Sequence, residues 1–163
     1  MISPLTPLDF LARSAAAWRD LTAVVDGGRR FTYAEFAARV ERQAAALLKL
    51  GVVAGDRVAV LAPNGAMALE AHFAPMRIGA ILVMLNTRLA PTELEWILKH
   101  SGAKVLLVDP QCKPRITSPD GLLVIDNYEA FLGETAGAGI VPSGTGSAVA
   151  DENACIAINY TSG

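Results

Sequence analysis

Ala80-Ile81-Leu82-Val83-Met84-Leu85 is a continuously apolar run of strand length, introduced by Gly79 and followed by the polar stretch Asn86-Thr87-Arg88. A strand with one wet face alternates apolar and polar residues, whereas a strand without that alternation has both faces covered, as in a parallel sheet between layers of helices. The fold class therefore turns on what flanks this run.

Upstream, Arg57 to Leu61 reads as a second strand and Asn64 to Ile78 as a helix between the two, with Pro75 forecasting a kink or early end near Ala74. Downstream, Pro91 is a favourable first-turn residue for a helix that Gly102 closes, and Val105 to Val108 forms the next strand. Nearer the N-terminus, Leu5 to Arg19 reads as a short helix, followed by a hairpin of Ala23 to Asp26 and Arg29 to Thr32 turned by Gly27-Gly28. Thr32-Tyr33-Ala34-Glu35 is a capping box, in which hydroxyl and carboxylate satisfy the orphan N–H groups of a helix start. In the helix it opens, Phe36, Val40, Ala44, Leu47 and Leu48 keep helical spacing, Glu35, Arg39 and Arg42 lie largely off that stripe, and Gly51 supplies the stop.

Beyond Val108 a strand is expected over Leu122 to Asp126 and a short helix around Tyr128 to Leu132. Residues Gly133 to Ala150 are rich in Gly, Ala and Ser and read as a surface loop leading to a terminal strand, Cys155 to Tyr160. Repeated helix and strand units with short connections make the fold class α/β, a largely parallel sheet covered by helices.

The 163 residues suffice for one domain burying roughly 70% of its unfolded surface. With 14 Lys and Arg against 16 Asp and Glu, and no basic stripe interleaved with aromatics, no nucleic-acid partner is expected. The hydrophobic fraction of 52% and a positive mean hydropathy are high for a free-standing domain of this size, as though some apolar surface were meant for a neighbour. Every apolar stretch is broken by charge, Gly or Pro before the ~20 residues of a membrane span. Asp9 and Arg13 occupy the place of a signal peptide's apolar core, which points to the cytoplasm, and a homodimer is left open.

Candidate chemistry is sparse. Cys112 and Cys155 lack metal-type spacing, with Cys155 in an apolar strand pattern, and both read as structural thiols. His72 and His100 are isolated, so no metal site is expected. Glu70 and His72 are two apart on a helix and do not make an acid-base pair; Asp56 and Arg57 suit a turn and an exposed charge; Trp18 and Trp96 read as packing residues. The pairs Gly137/Gly139 and Gly144/Gly146 lack the third glycine and the strand-helix setting of a dinucleotide loop, and no Walker A sequence occurs.

The remaining signal is Tyr160-Thr161-Ser162-Gly163, directly after the terminal apolar run. A strand running into hydroxyls and glycine presents backbone N–H groups to an anion. Together with Phe31-Thr32-Tyr33-Ala34-Glu35-Phe36 and with Arg77-Ile78-Gly79-Ala80 through Asn86, in this order and spacing, it resembles the N-terminal part of the large domain of an adenylate-forming (AMP-binding) enzyme. That superfamily includes acyl-CoA synthetases, luciferases and peptide-synthetase adenylation domains. Asn86-Thr87-Arg88-Leu89 followed by Glu93-Leu94 leans toward the acyl-CoA synthetases.

The resemblance covers nearly all of residues 1–163, as an N-terminal portion expected to be truncated within its phosphate-binding loop. It implies an ATP-dependent ligase that joins a small-molecule carboxylic acid, fatty or otherwise hydrophobic, to coenzyme A through an acyl adenylate, with Mg²⁺ neutralising charge on ATP. Thr161, Ser162 and Gly163 would then bind ATP phosphates through hydroxyls and close backbone approach. The loop lysine, the Mg²⁺-binding glutamate and the catalytic lysine of the family would lie beyond residue 163, so no catalytic or metal-binding residue is expected here.

A terminal carboxylate at Gly163 would repel each phosphate charge about 4 Å away by roughly 1 kcal/mol in water and about 4 at an effective dielectric near 20. This piece alone is accordingly expected to be inactive and to hold no ATP, Mg²⁺ or coenzyme A. Two alternatives stand beside the acyl-CoA synthetase: a peptide-synthetase adenylation domain, and a non-catalytic α/β module that binds a partner.

Overall fold

The computed structural model describes residues 6–117, 119–135 and 153–161. Its elements are α1 (Pro7–Ala17), β1 (Thr22–Asp26), β2 (Arg29–Thr32), α2 (Tyr33–Lys49), β3 (Arg57–Leu61), α3 (Ala66–Ala71), α4 (Ala74–Arg77), β4 (Ile81–Met84), α5 (Pro91–Ser101), β5 (Val105–Val108), β6 (Leu123–Ile125), α6 (Tyr128–Gly133) and β7 (Ala157–Asn159). A single 3₁₀ turn, Lys113–Arg115, lies between β5 and β6.

Among the described residues β1 and β2 form an antiparallel hairpin, and the other five strands form one parallel sheet in the order β6-β5-β3-β4-β7. The apolar run that decided the fold class is β4, which lies between β3 and β7: Leu82 pairs with Val58 and Ala157, and Met84 with Val60 and Asn159. The inner strands β3, β4 and β5 lack polar alternation because both their faces are covered, whereas the edge strands β6 and β7 are partly exposed. Val58, Val60, Leu82, Val105 and Leu107 point into one core beneath α2, α3, α4 and α6. Ala59, Leu61, Val83, Leu106 and Val108 point into a second, where Leu94, Ile97 and Leu98 of α5 meet them. The result is a three-layer α/β domain.

The capping box forms as expected: Glu35 N donates to the Thr32 hydroxyl at 3.2 Å, and Thr32 N donates to Glu35 Oε2 at 2.8 Å. The helix expected over 64–78 is two short ones, α3 and α4, parted at His72-Phe73 because Pro75 has no N–H to continue the ladder. Gly102 stops α5 in the left-handed region, at φ 60°. A Cβ there would lie 2.7 Å from Arg57 Nη2, whose guanidinium donates to the carbonyls of Ser101 and Gly102.

Three expectations need correction. Arg39 is not on the solvent side of α2 but 6% exposed, since it sits three residues after Phe36 on the arc facing the core. Cys155 is exposed and precedes β7, which starts at Ala157; Cys112 is buried, and burial pushes its thiol up. Trp18 and Trp96 are more than half exposed. Of the expected loop over 133–150, Gly133 ends α6 and Thr135 is buried, its hydroxyl donating to the carbonyls of Arg42 and Leu132; residues 136–150 lie outside those described.

Candidate functional site at the end of the last strand

In an open parallel sheet, ligands are met outside the carboxyl ends of the strands, where loops present side chains and backbone N–H groups. β7 ends at Asn159, so Tyr160 and Thr161 emerge at that edge. Ile158 and Tyr160 pack on the α5 side, and the exposed Thr161 follows. Of the residues expected to bind phosphate, Thr161 is therefore placed at the mouth of the sheet; Ser162 and Gly163 lie outside the described residues.

Thr161 lines a cleft of about 320 Å³ with Leu89, Thr92, Glu93, Trp96, Ile97 and Tyr160. Its walls are mainly apolar, and none of these described lining residues is cationic. Glu93 is engaged as a helix cap, accepting from Ala90 N at 2.7 Å. The loop between β4 and α5 is held from below by Arg115, which donates to the carbonyls of Thr87 and Leu89. Asn86 Oδ1 accepts from Arg88 N at 2.9 Å in a local turn, and both side chains are exposed.

Over the cleft stands an aromatic group that sequence reasoning did not assemble. Trp96 and His100, four apart on α5, stack with ring centroids 4.7 Å apart and an interplanar angle of 14°. Tyr160 meets both edge-on, at 6.0 Å and 88° from Trp96 and at 5.8 Å and 84° from His100. A hydrogen bond of 2.8 Å joins its hydroxyl to His100 Nδ1. The i, i+4 spacing of Trp96 and His100 was legible; the contact of His100 with Tyr160, 60 residues on, was not.

A second polar constellation lies under the other face. Glu70, fully buried on α3, accepts from Arg39 Nε at 2.5 Å and from the Tyr128 hydroxyl. Arg39 also donates to Glu129 at 2.8 and 3.0 Å and lies over the Phe31 ring at 4.6 Å. Glu129 accepts from Arg29 at 2.6 Å, and Arg29 donates to Asp26, whose carboxylate accepts from Ala66 N at the start of α3. Burial pushes the Glu70 carboxyl above its ordinary value, opposed by the bonds from Arg39 and Tyr128. The bond from Arg39 holds Glu129 below its ordinary value, against partial burial and with further help from Arg29. This chain of contacts ties the hairpin, α2, α3 and α6 together, which is a scaffold role.

Glu70 and His72 go to different surroundings, as expected: His72 Nδ1 lies 2.8 Å from the Ala68 carbonyl. Among the described residues no group of three or more His, Cys, Asp or Glu is placed to hold a metal ion, and no helix is long and apolar enough to cross a membrane.

The AMP-binding enzyme family matches residues 11–163. The chain is similar to the peroxisomal trans-cinnamate:CoA ligase of Petunia hybrida, at 41% identity over 77% of this chain and 22% of that protein. It is similar to the long-chain-fatty-acid–CoA ligase of Thermus thermophilus at 37% identity, over 95% of this chain and 30% of that one. Among solved structures, the anthranilate CoA ligase AuaEII in complex with anthranoyl-AMP superposes on the whole chain with a TM-score of 0.85 at 26% identity, using 32% of its own length. The chain thus spans about a fifth to a third of the length of the proteins it matches.

Proposed function

The chain belongs to the AMP-binding enzyme family, and from that premise we propose that its protein is an ATP-dependent carboxylate-CoA ligase acting on a fatty or other hydrophobic acid through an acyl adenylate. The observation that carries the reading is positional. The tetrapeptide Tyr160-Thr161-Ser162-Gly163 follows the last strand of a parallel sheet, in a chain whose similar proteins are acid-CoA ligases.

ATP supplies the activation, turning a carboxylate that a thiol cannot attack into a mixed anhydride with pyrophosphate as the departing group. The contribution of this chain is placement and charge stabilisation. The exposed Thr161 hydroxyl can donate to a phosphate oxygen. We assign Ser162 and Gly163 to the same phosphates, the one as a donor and the other by close backbone approach. Arg115 keeps the β4–α5 loop fixed, and Leu89 of that loop lines the cleft with Thr161. The described residues do not fit a Mg²⁺ site. Nor do they fit strong phosphate binding unaided, because the cleft beside Thr161 has Glu93 in its wall and no described cation.

Cytoplasmic location belongs to the same proposal; the Petunia relative is peroxisomal. The test is product formation by the full-length protein given ATP, coenzyme A and a panel of cinnamic, benzoic and fatty acids. Equal amounts of acyl-CoA and AMP support the reading. Activation of an amino acid without any acyl-CoA transfers the protein to the peptide-synthetase class, and no activation of any acid refutes the ligase.

A further inference from the structure

We propose that Trp96 and His100 form a brace that fixes Tyr160 and thereby sets where Thr161 meets the phosphates; this rests on the ligase reading above. The need for such a device follows from the register. The pairing of β7 with β4 ends at Asn159 opposite Met84, so the sheet ladder no longer fixes the backbone at Tyr160 and Thr161. From that point the side chain of Tyr160 carries the anchoring contacts: two edge-to-face rings and one hydrogen bond, all from α5.

The mount is rigid. At the start of α5 Glu93 caps the Ala90 N–H and Arg115 holds the carbonyls of Thr87 and Leu89. At its end Arg57 holds the carbonyls of Ser101 and Gly102. One face of the helix is locked into the core by Leu94, Ile97 and Leu98. Trp96 itself is 57% exposed, so core filling does not account for it; the faces it does cover are His100, Tyr160 and the cleft. His100 is exposed as well, and its ring is held parallel to the indole with Nδ1 on the Tyr160 hydroxyl.

These are positioning residues: they touch Tyr160, and Tyr160 precedes the residue assigned to the phosphate. A phosphate loop displaced by a fraction of an ångström loses alignment with little loss of fold. The brace is therefore read in ATP kinetics more than in stability.

The experiment uses the full-length protein with His100→Ala, His100→Asn, Tyr160→Phe and the double variant His100→Ala/Tyr160→Phe, with Lys99→Ala on the same helix as a control. Acid-dependent ATP-pyrophosphate exchange gives KM and kcat for ATP, and amide hydrogen exchange reads Thr161 directly. The expected result is a loss in kcat/KM for ATP of about 2- to 13-fold for His100→Ala and for Tyr160→Phe, the range of one net hydrogen bond. The KM for the acid stays unchanged, the double variant is no worse than either single one, and His100→Asn, which keeps a hydrogen-bonding amide near the Nδ1 position, recovers part of the loss. Faster amide exchange at Thr161 accompanies it. Additive losses, or wild-type ATP kinetics and wild-type amide exchange in both single variants, overturn the brace. If the wild-type protein activates no acid while His100→Ala still speeds exchange at Thr161, the brace stands and the ligase reading falls.

Discussion

Replacing Arg39 with alanine separates a buried charge network from a surface one. The substitution leaves the Glu70 carboxylate, fully buried, with only the Tyr128 hydroxyl in place of the guanidinium now 2.5 Å away. Stripping one partner from a buried pair costs about 3–5 kcal/mol, against roughly 5–15 for a whole domain. Glu129→Ala removes the other anion on Arg39, but that carboxylate is half exposed and Glu70 remains, so a cost of about 1 kcal/mol or less is expected. With a urea slope of about 2 kcal/mol per molar, Arg39→Ala lowers the unfolding midpoint of this chain by about 1.5–2.5 M and Glu129→Ala by no more than about 0.5 M. Equilibrium unfolding followed by circular dichroism makes the comparison. The double variant Arg39→Met/Glu70→Leu, which removes both charges and refills the space, is expected to recover most of the loss. A shift under about 0.5 M for Arg39→Ala, or one no larger than that of Glu129→Ala, refutes the assignment of Glu70 as a charge dependent on Arg39.

Gln43 is fully buried on α2 with neither amide atom hydrogen-bonded among the described residues, so Gln43→Met, which keeps the volume and removes the orphans, raises the urea midpoint by the equivalent of about 1 kcal/mol. Gly102→Ala forces a Cβ into left-handed backbone and against Arg57 Nη2; thermal unfolding shows a loss of about 1 kcal/mol or more as the two carbonyl contacts of Arg57 are displaced. Glu129 is held below its ordinary 4.5, so its contribution is present above that pH and is lost as pH falls through its lowered folded value. Glu70 is raised and acts in the opposite sense, weakening the fold as pH climbs from 4.5 through its folded value. Urea midpoints measured from pH 3 to 8 are thus expected to fall on the acid side, and Glu70→Gln flattens the slope above 4.5.

The strands, α5 with its Pro91 and Gly102 boundaries, and the capping box at Thr32 were legible because each is set by neighbours in sequence: unbroken apolar runs, a fixed φ at proline, a left-handed stop, a hydroxyl three residues before a carboxylate. Arg39 was misread because a 3.6-residue period marks which face is inward without telling that an inward arginine finds Glu70 31 positions away. The break at His72-Phe73 was foreseen from Pro75, whereas the exposure of Cys155 was not, since an apolar pattern does not reveal where pairing with β4 begins. At the site, Thr161 was singled out by the hydroxyls and glycine after a strand. Its neighbours Trp96 and His100 were passed over as ordinary helix residues because only the folded sheet brings α5 over the end of β7.

In the proposed reaction β7 hands Thr161 to the phosphates of ATP in an acid-activating enzyme. Its most direct measurement is acid-dependent ATP-pyrophosphate exchange by the full-length protein, wild type against Thr161→Ala, with fatty and aromatic acids. The expected result is exchange in the wild type and a loss in the variant of at least about 10-fold in kcat/KM for ATP with an unchanged urea midpoint, because one charge-assisted hydrogen bond of about 1.5–3 kcal/mol is removed from an exposed position. Exchange that is indifferent to Thr161→Ala, or no exchange with any acid, contradicts it.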